Sequence, residues 1–426
     1  FGAPGPIIDF QAPLTHTLIT DNNRQKGAFE KMFLEGRPPV NLGVTNSGDL
    51  YGGSQLTFTD VLGEQQFNLY AASIAEFRTL AFSYTNLSSR LQWGTQAYSQ
   101  TQFFFGTPTF QSFGLLNRDQ AIATTTARGG TVFGIYPFSK FRRLEMSAGV
   151  AQYNERFDDP ALEEFNQELQ EQQFGTQLFR NGVFVPLNIA FVQETTVFRE
   201  FGPIAGNTMR LGFGYSPKVG NSLTQRNIDA DARYYLRLGE TGSLALRARG
   251  FQSWGESPDY LFFGGNSELR GYDYLEFVGH KAFHMNAELR FPLVEAMLTP
   301  IGVMGGFRGV FFLGVGGSGL NTESFKPFAA DTEDYRPLIG VRQDPETGLS
   351  LPEFGPPVEI KGFRLRDARG SYGFGLVTFA VGFPVHLDWS WKTLFNKDWE
   401  DALFAATGGS DAFREGRFDI WIGFDF

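Results

Sequence analysis

Along residues 281–291 the side chains alternate strictly. Phe283, Met285, Ala287, Leu289 and Phe291 fall on one face, and His284, Asn286, Glu288 and Arg290 on the other. A period of two over that length predicts a β-strand with one apolar and one polar face. Residues 227–238 repeat it, setting Ile228, Ala230, Ala232, Tyr234, Leu236 and Leu238 against Asp229, Asp231, Arg233, Tyr235 and Arg237. The same reading gives sixteen candidate strands: 40–45, 51–60, 65–74, 77–87, 91–105, 120–138, 141–157, 182–198, 208–219, 227–238, 243–254, 281–291, 307–317, 371–383, 385–392 and 417–426. Many are about ten residues or longer, which suits a tilted membrane crossing and is long for a soluble sandwich. A polar face bearing Glu288 and Arg290 must meet water, while the other face must meet something oily. A closed membrane barrel with a polar lumen satisfies both.

The connections supply a second test. They are short near Leu62-Gly63, Ser88-Ser89, Ser139-Lys140, Gly239-Glu240 and Gly382-Phe383-Pro384. They are long at 106–119, 158–181, 255–280, 318–370 and 393–416, with 292–306 a longish exception on the short-turn side. Tight turns at one end and long loops at the other are the habit of outer-membrane barrels. An even strand count puts both termini at the short-turn, periplasmic end. Residues 1–37, punctuated by Pro4, Pro6 and Pro13, read as an N-terminal linker with a short helix over 22–34 that buries Phe29, Met32 and Phe33. Residues 38–426 are then the barrel domain.

Composition narrows the function. Of 426 residues 16% are aromatic and 51 are glycine, and no stretch approaches the 18 apolar residues of a spanning helix. A net charge of −10 argues against a nucleic-acid partner. Four scattered histidines and no cysteine offer no metal-ligand spacing, and no catalytic constellation stands out. The expectation is a protein with no cofactor, no metal and no enzymatic role. Asp229, Asp231, Arg233, Arg237, Arg247 and Arg249 form a mixed-charge patch on neighbouring strands, read as a solvated or plug-contacting wall. Glycine pairs such as Gly316-Gly317 read as strand bends or turns. The chain opens on Phe1 rather than Met, so a signal peptide removed earlier, or a longer parent chain, is expected.

One stretch carries a family signature. Residues 261–292 read LFFGGNSELRGYDYLEFVGHKAFHMNAELRFP, with a Gly-Gly…Leu-Arg-Gly-Tyr loop ahead of the twelfth strand and Asn-Ala-Glu-Leu-Arg-Phe-Pro within it. With sixteen strands and a last strand ending at Phe426, this resembles the BamA superfamily of outer-membrane barrels, also called bacterial surface antigens. The superfamily includes outer-membrane protein insertases and two-partner secretion transporters. The likeness is sharpest over residues 261–292 and persists through 311–317, 370–391 and the final strand.

The resemblance implies that the sixth external loop folds inward, and that its arginine, here Arg270, pairs with an acid on the next strand, here Glu288. Gly264, Gly265, Gly271 and Tyr272 complete that loop motif. Ile422, Phe424 and Phe426 stand where assembly machinery reads the last strand. Two departures stand out. Gly314 occupies the place of a second acid, which points to Asp388 or Asp419 as a replacement, and residues 1–37 are too short for a POTRA domain. Implied partners are outer-membrane lipid and periplasmic or outer-membrane protein subunits. The implied role is protein assembly, insertion or translocation, the alternatives being an anchoring barrel or a passive or gated pore.

Overall fold

The computed structural model describes residues 32–35, 40–44, 50–74, 77–105, 121–157, 181–199, 202–274, 276–299, 302–343, 350–380 and 383–423, with scattered residues of 159–171. Almost every regular element is a strand. No helix among the described residues is long and apolar enough to cross a membrane.

The strands form one antiparallel sheet in which neighbours in sequence are neighbours in space. Among the described residues its nineteen segments occupy sixteen successive ladder positions, because some positions are interrupted. Met32–Leu34 and Val40–Val44 both pair with Leu50–Asp60 and share the first position. Gly182–Phe184, Leu187–Glu194 and Val197–Arg199 share the eighth, between Arg142–Phe157 and Gly202–Ser216. The last, Arg417–Ile422, pairs with Phe383–Thr393. No pairing among the described residues joins it to the first strand.

Alternation fixes which face each residue takes. Leu246, Ala287, Leu313 and Tyr372 stand in one register row across four strands, and Leu246, Leu313 and Tyr372 are exposed. The next row carries Arg247, Asn286 and Gly314, and Arg247 is buried. The outer face is therefore an apolar wall, continued by Leu80, Phe82, Val132, Leu211 and Phe213.

Several expectations need correction. Met32–Leu34 is a paired strand, not the end of a helix, since its backbone continues the ladder against Phe58–Asp60. The rest of the expected helix, and the 37/38 boundary, lie outside the described residues. The ninth strand runs Gly202–Ser216, starting earlier than 208. The twelfth and thirteenth run Lys281–Thr299 and Gly302–Gly319, so the expected long connection at 292–306 is a tight hairpin. Pro292 does not end the strand: the register shifts between Pro292 and Val294, and this bulge absorbs a residue with no N–H to donate.

The connection 318–370 is not an irregular loop either. Phe328–Ala329 pairs with Arg364–Leu365, Glu333–Tyr335 with Val358–Ile360, and Leu338–Gln343 with Ser350–Phe354, which makes one long nested hairpin. Its base packs on the loop after Thr393, burying Ile360, Leu365, Ala368, Leu394, Trp399 and Ala402 together. That second loop carries two short helices, Lys397–Leu403 and Gly409–Phe413, the first capped by the Asn396 side chain. Glu400 is fully buried, and accepts from the Leu394 amide and from Arg414.

Candidate functional site

The sixth external loop, residues 255–280, leaves the Gly242–Gly255 strand and folds against the sheet's inner face. Its base is a small ladder between Leu261–Phe263 and Phe277–Gly279. Leu261, Phe263, Leu269, Tyr272 and Ala282 bury one another, and Phe263 stacks on Phe277 at 4.8 Å. At the turn, Gly264 (φ 136°), Gly265 (φ 84°) and Gly271 (φ 83°) take backbone angles that side chains resist. The Leu269 amide bonds the Gly265 carbonyl at 2.9 Å and the Gly264 amide bonds Glu268 at 2.9 Å, closing a compact knuckle.

The wall opposite is shaped to receive it. A Cβ on Gly316 would lie 2.8 Å from the Phe263 ring, and one on Gly314 2.8 Å from Leu269 Cδ1. Gly314 and Gly316 are therefore mid-strand clearances for the plug, and the Gly316-Gly317 pair lies within a continuous ladder rather than at the bend or turn read from sequence.

Arg270 projects from this knuckle. Its Nη2 donates to Glu288 Oε1 at 2.8 Å and its Nε to the Asn266 carbonyl at 3.1 Å. Asp388 Oδ2 lies 3.6 Å from the same Nε. The guanidinium also sits 4.6 Å from the Phe312 ring centroid, a cation–π distance. Arg270 and Glu288 are only 4% and 3% exposed and Asp388 1%, so the charges meet in a nearly dry place. Each is further held: Arg290 donates to Glu288 Oε2 at 2.7 Å, and Trp421 Nε1 to Asp388 Oδ2 at 2.7 Å. Asp419 instead pairs with Arg417, whose other partner is Asp273 of the loop at 2.6 Å.

Tyr272 is the loop's second anchor. Its hydroxyl donates to the Gly370 carbonyl at 3.1 Å, and Lys392 lies over its ring. Burial pushes its pKa up, which keeps the phenol protonated as a donor. The loop thus touches the five final strands in turn, through Glu288, Phe312, Gly370, Asp388 and Arg417.

Arg270, Gly271, Tyr272 and Glu288 are brought together, with Gly264 and Gly265 at the turn that aims them. Ile422 pairs with Val385 on the last strand, while Phe424 and Phe426 lie outside the described residues. The mixed-charge patch forms a compensated wall: Asp231 pairs with Arg233 and Arg247, Asp229 with Arg249, and Arg249 stands 4.0 Å from Glu268 of the loop. Arg237 is apart, donating to the carbonyls of Gly239 and Glu240. Sequence reasoning missed Phe312 and Arg290. Alternation alone places Arg290 beside Glu288 on the polar face, so that signal was available. Phe312 falls on the inner face too, against the usual pattern, and the Arg270 guanidinium lies over its ring. No group of three or more potential metal ligands occurs among the described residues.

No protein-family model matches the sequence, and no curated protein does. Among solved structures, BamA from Haemophilus ducreyi lacking POTRA domains 1–3 aligns at 13% identity with a TM-score of 0.55, over 91% of this chain and 71% of that one. CdiB from Escherichia coli (13% identity, TM-score 0.43, 86% and 60% covered) and CdiB from Acinetobacter baumannii (11%, 0.40, 92% and 59%) align more loosely. This chain thus spans about three fifths of the two CdiB chains. The BamA likeness shows the fold: an antiparallel β-barrel of the BamA type.

Proposed function

We propose that this chain is an outer-membrane barrel that serves the assembly, insertion or translocation of proteins, with its lumen plugged at rest. One observation carries the reading. The sixth loop is latched across the interior by Arg270, Glu288 and Asp388 and tied to the last strand through Asp273 and Arg417. A passive pore has no need of such a plug. A barrel that works at its edge does, because the plug blocks leakage and braces the strands next to the edge.

The exposed apolar wall supports placement in a membrane, since a bare face of that kind has no place in water. The fold shared with BamA supports the outer membrane and a role in handling proteins. The edge argument is physical. Among the described residues Arg417–Ile422 offers six residues of ladder, and the first position two short segments, Met32–Leu34 and Val40–Val44. Short edges hold few hydrogen bonds, so a client strand could compete for them.

The test is reconstitution. Vesicles containing the chain should raise the folded, protease-protected yield of a urea-unfolded small outer-membrane barrel over that of empty vesicles. Equal yields in both would overturn the reading and leave an anchoring role as the better account.

A further inference from the structure

A cavity of about 750 Å³ lies on the outer wall, away from the plug. Its floor is the apolar face of the Gln225–Leu238, Gly242–Gly255 and Lys281–Thr299 strands, where Ala232, Ala248 and Ala287 stand among larger outward residues. Ala232 is the direct ladder partner of Ala248, and Leu246 of Ala287. Small side chains side by side leave a slot in an otherwise filled wall. The roof is Phe328, Phe363 and Phe395, brought by the nested hairpin and the loop after Thr393. Phe363 lies between the other two, 6.1 Å from Phe328 and 6.4 Å from Phe395.

Two details show that the roof is built over the wall rather than fallen there. Phe328 rests on outward-facing Phe283, 5.9 Å between centroids, so the hairpin leans out over the apolar side. Phe395 has a φ of 60°, a left-handed angle that a bulky residue rarely holds, and its amide is pinned by the Thr393 hydroxyl at 2.9 Å. Such outliers persist where the surroundings require them. The result leaves Phe395 43% exposed, a large ring held over an apolar slot.

We propose that this slot is a fixed binding site for one acyl chain of a bilayer lipid in the leaflet on the loop side. The proposal rests on the reading that this wall faces lipid. Length supports the occupant. One register row runs from Gln193 through Ala232 and Ala248 to Val315, crossing five inter-strand gaps. At about 4.8 Å per gap the slot is about 24 Å long. A leaflet of a hydrocarbon core about 30 Å thick holds chains of roughly 15 Å, so a whole chain fits. An extended peptide would need hydrogen-bonding groups along its path, and the outward side chains between Ala232 and Leu313 are aliphatic or aromatic. An acyl chain needs none.

The experiment uses the full chain in vesicles of phosphatidylethanolamine and phosphatidylglycerol, doped with a phospholipid carrying a diazirine in its acyl chain. After irradiation, labelled peptides are mapped by mass spectrometry. Peptides holding Ala232, Ala248, Met285 and Phe363 should carry about threefold more label than outward positions of residues 65–100. Ala248→Trp, which fills the slot from an exposed position, should abolish the excess, and Phe395→Ala, which opens the roof, should reduce it. Equal labelling all round the wall, or an excess unchanged by Ala248→Trp in a variant that still migrates as folded, would overturn the site. No label anywhere on the wall would overturn the membrane reading along with it.

Discussion

Arg270 and Asp388 stand 3.6 Å apart in the interior, one on the inward loop and the other on the Phe383–Thr393 strand. The superfamily that the loop motif resembles has its second acid on the strand after the first, at the place where this chain has Gly314. The space Gly314 leaves is already used by Leu269 Cδ1 and Asn286 Oδ1, 2.8 and 2.9 Å from where its Cβ would be. The acid is supplied two ladder positions further on, where Gly375, the cross-strand partner of Asp388, makes room for it. A Cβ at Gly375 would lie 2.1 Å from Asp388 Oδ1. The two glycines and one aspartate form a single rearranged device.

Asp388→Asn tests that device. The amide keeps an oxygen for Trp421 but removes the charge beside Arg270. Stability should fall by about 1–2 kcal/mol. The readout is the temperature at which the folded band converts to the unfolded one in semi-native electrophoresis. An unchanged midpoint would show that Asp388 serves Trp421 alone.

Arg270→Ala and Glu288→Ala should not be equivalent. Removing Arg270 leaves Glu288 paired with Arg290. Removing Glu288 instead leaves two buried guanidiniums without the carboxylate between them. Glu288→Ala should therefore cost about 3–5 kcal/mol and Arg270→Ala clearly less. The double variant should be more stable than additivity predicts, since losing Arg270 relieves half of that conflict. Urea titration of the four proteins gives the coupling directly.

Gly314→Asp, which places an acid where the resembled superfamily has one, should destabilise rather than improve the latch. Its Cβ has no room, and a second acid would enter a site whose arginine is already served by Glu288 and Asp388. A loss of about 1–3 kcal/mol is expected from overpacking. A gain in stability would mean that Leu269 and Asn286 yield readily.

Much of this was legible in the chain. Alternation pointed to the sixteen ladder positions seen among the described residues, because a one-residue slip would turn Glu288 and Arg290 toward the oily side. It did not point to Met32–Leu34. Glu288 as the partner of Arg270 followed from the same parity, joined to the loop motif. What alternation cannot convey is space. Gly314, Gly316 and Gly375 look alike in sequence, and only the packed loop shows that each clears a different neighbour. The nested hairpin at 338–354 was hidden for another reason. Leu338, Ile339, Val341, Leu351 and Phe354 are all exposed, so that hairpin lacks the one-sided burial on which sequence patterns rely. Pro292 misled because a proline reads as a strand end unless a bulge receives it.

The inward loop should loosen in acid. His280, at its end, is 2% exposed, stacks on Tyr260 at 4.4 Å and accepts the Asn321 amide at Nδ1. Burial, and secondarily Lys281, hold its pKa down at about 4, against 6.5 for a free imidazole. The unfolded loop takes up its proton first, so stability present above pH 6.5 is lost as pH falls toward 4 and changes little below. The loss is no more than about 3 kcal/mol. Asp259 and Glu268, both raised by burial, act in the opposite sense, since their contribution fades as pH rises through their folded values. Comparison with His280→Gln isolates the histidine: protease nicking of residues 255–280 should rise between pH 6.5 and 4 in the parent chain and stay flatter in the variant.

The plug itself is tested by conductance. The inner face of the sheet is polar, and what separates a plugged barrel from a channel is whether the loop stays put. Three independent ties hold it: the Arg270 cluster, the Tyr272 hydroxyl on Gly370, and Asp273 on Arg417. The first two are buried and resist salt, while the third is exposed and weakens with it. The parent chain in a planar bilayer should therefore conduct poorly at both low and high salt. Deleting residues 264–274 removes all three ties at once, and conductance should rise severalfold with long open times. Arg270→Ala alone should give brief openings, because Tyr272 and Asp273 still recapture the loop. Raising the salt should lengthen those openings in Arg270→Ala but leave the parent chain closed. A parent chain that conducts steadily, or a deletion that changes nothing, would mean the loop is no plug and would favour the pore reading.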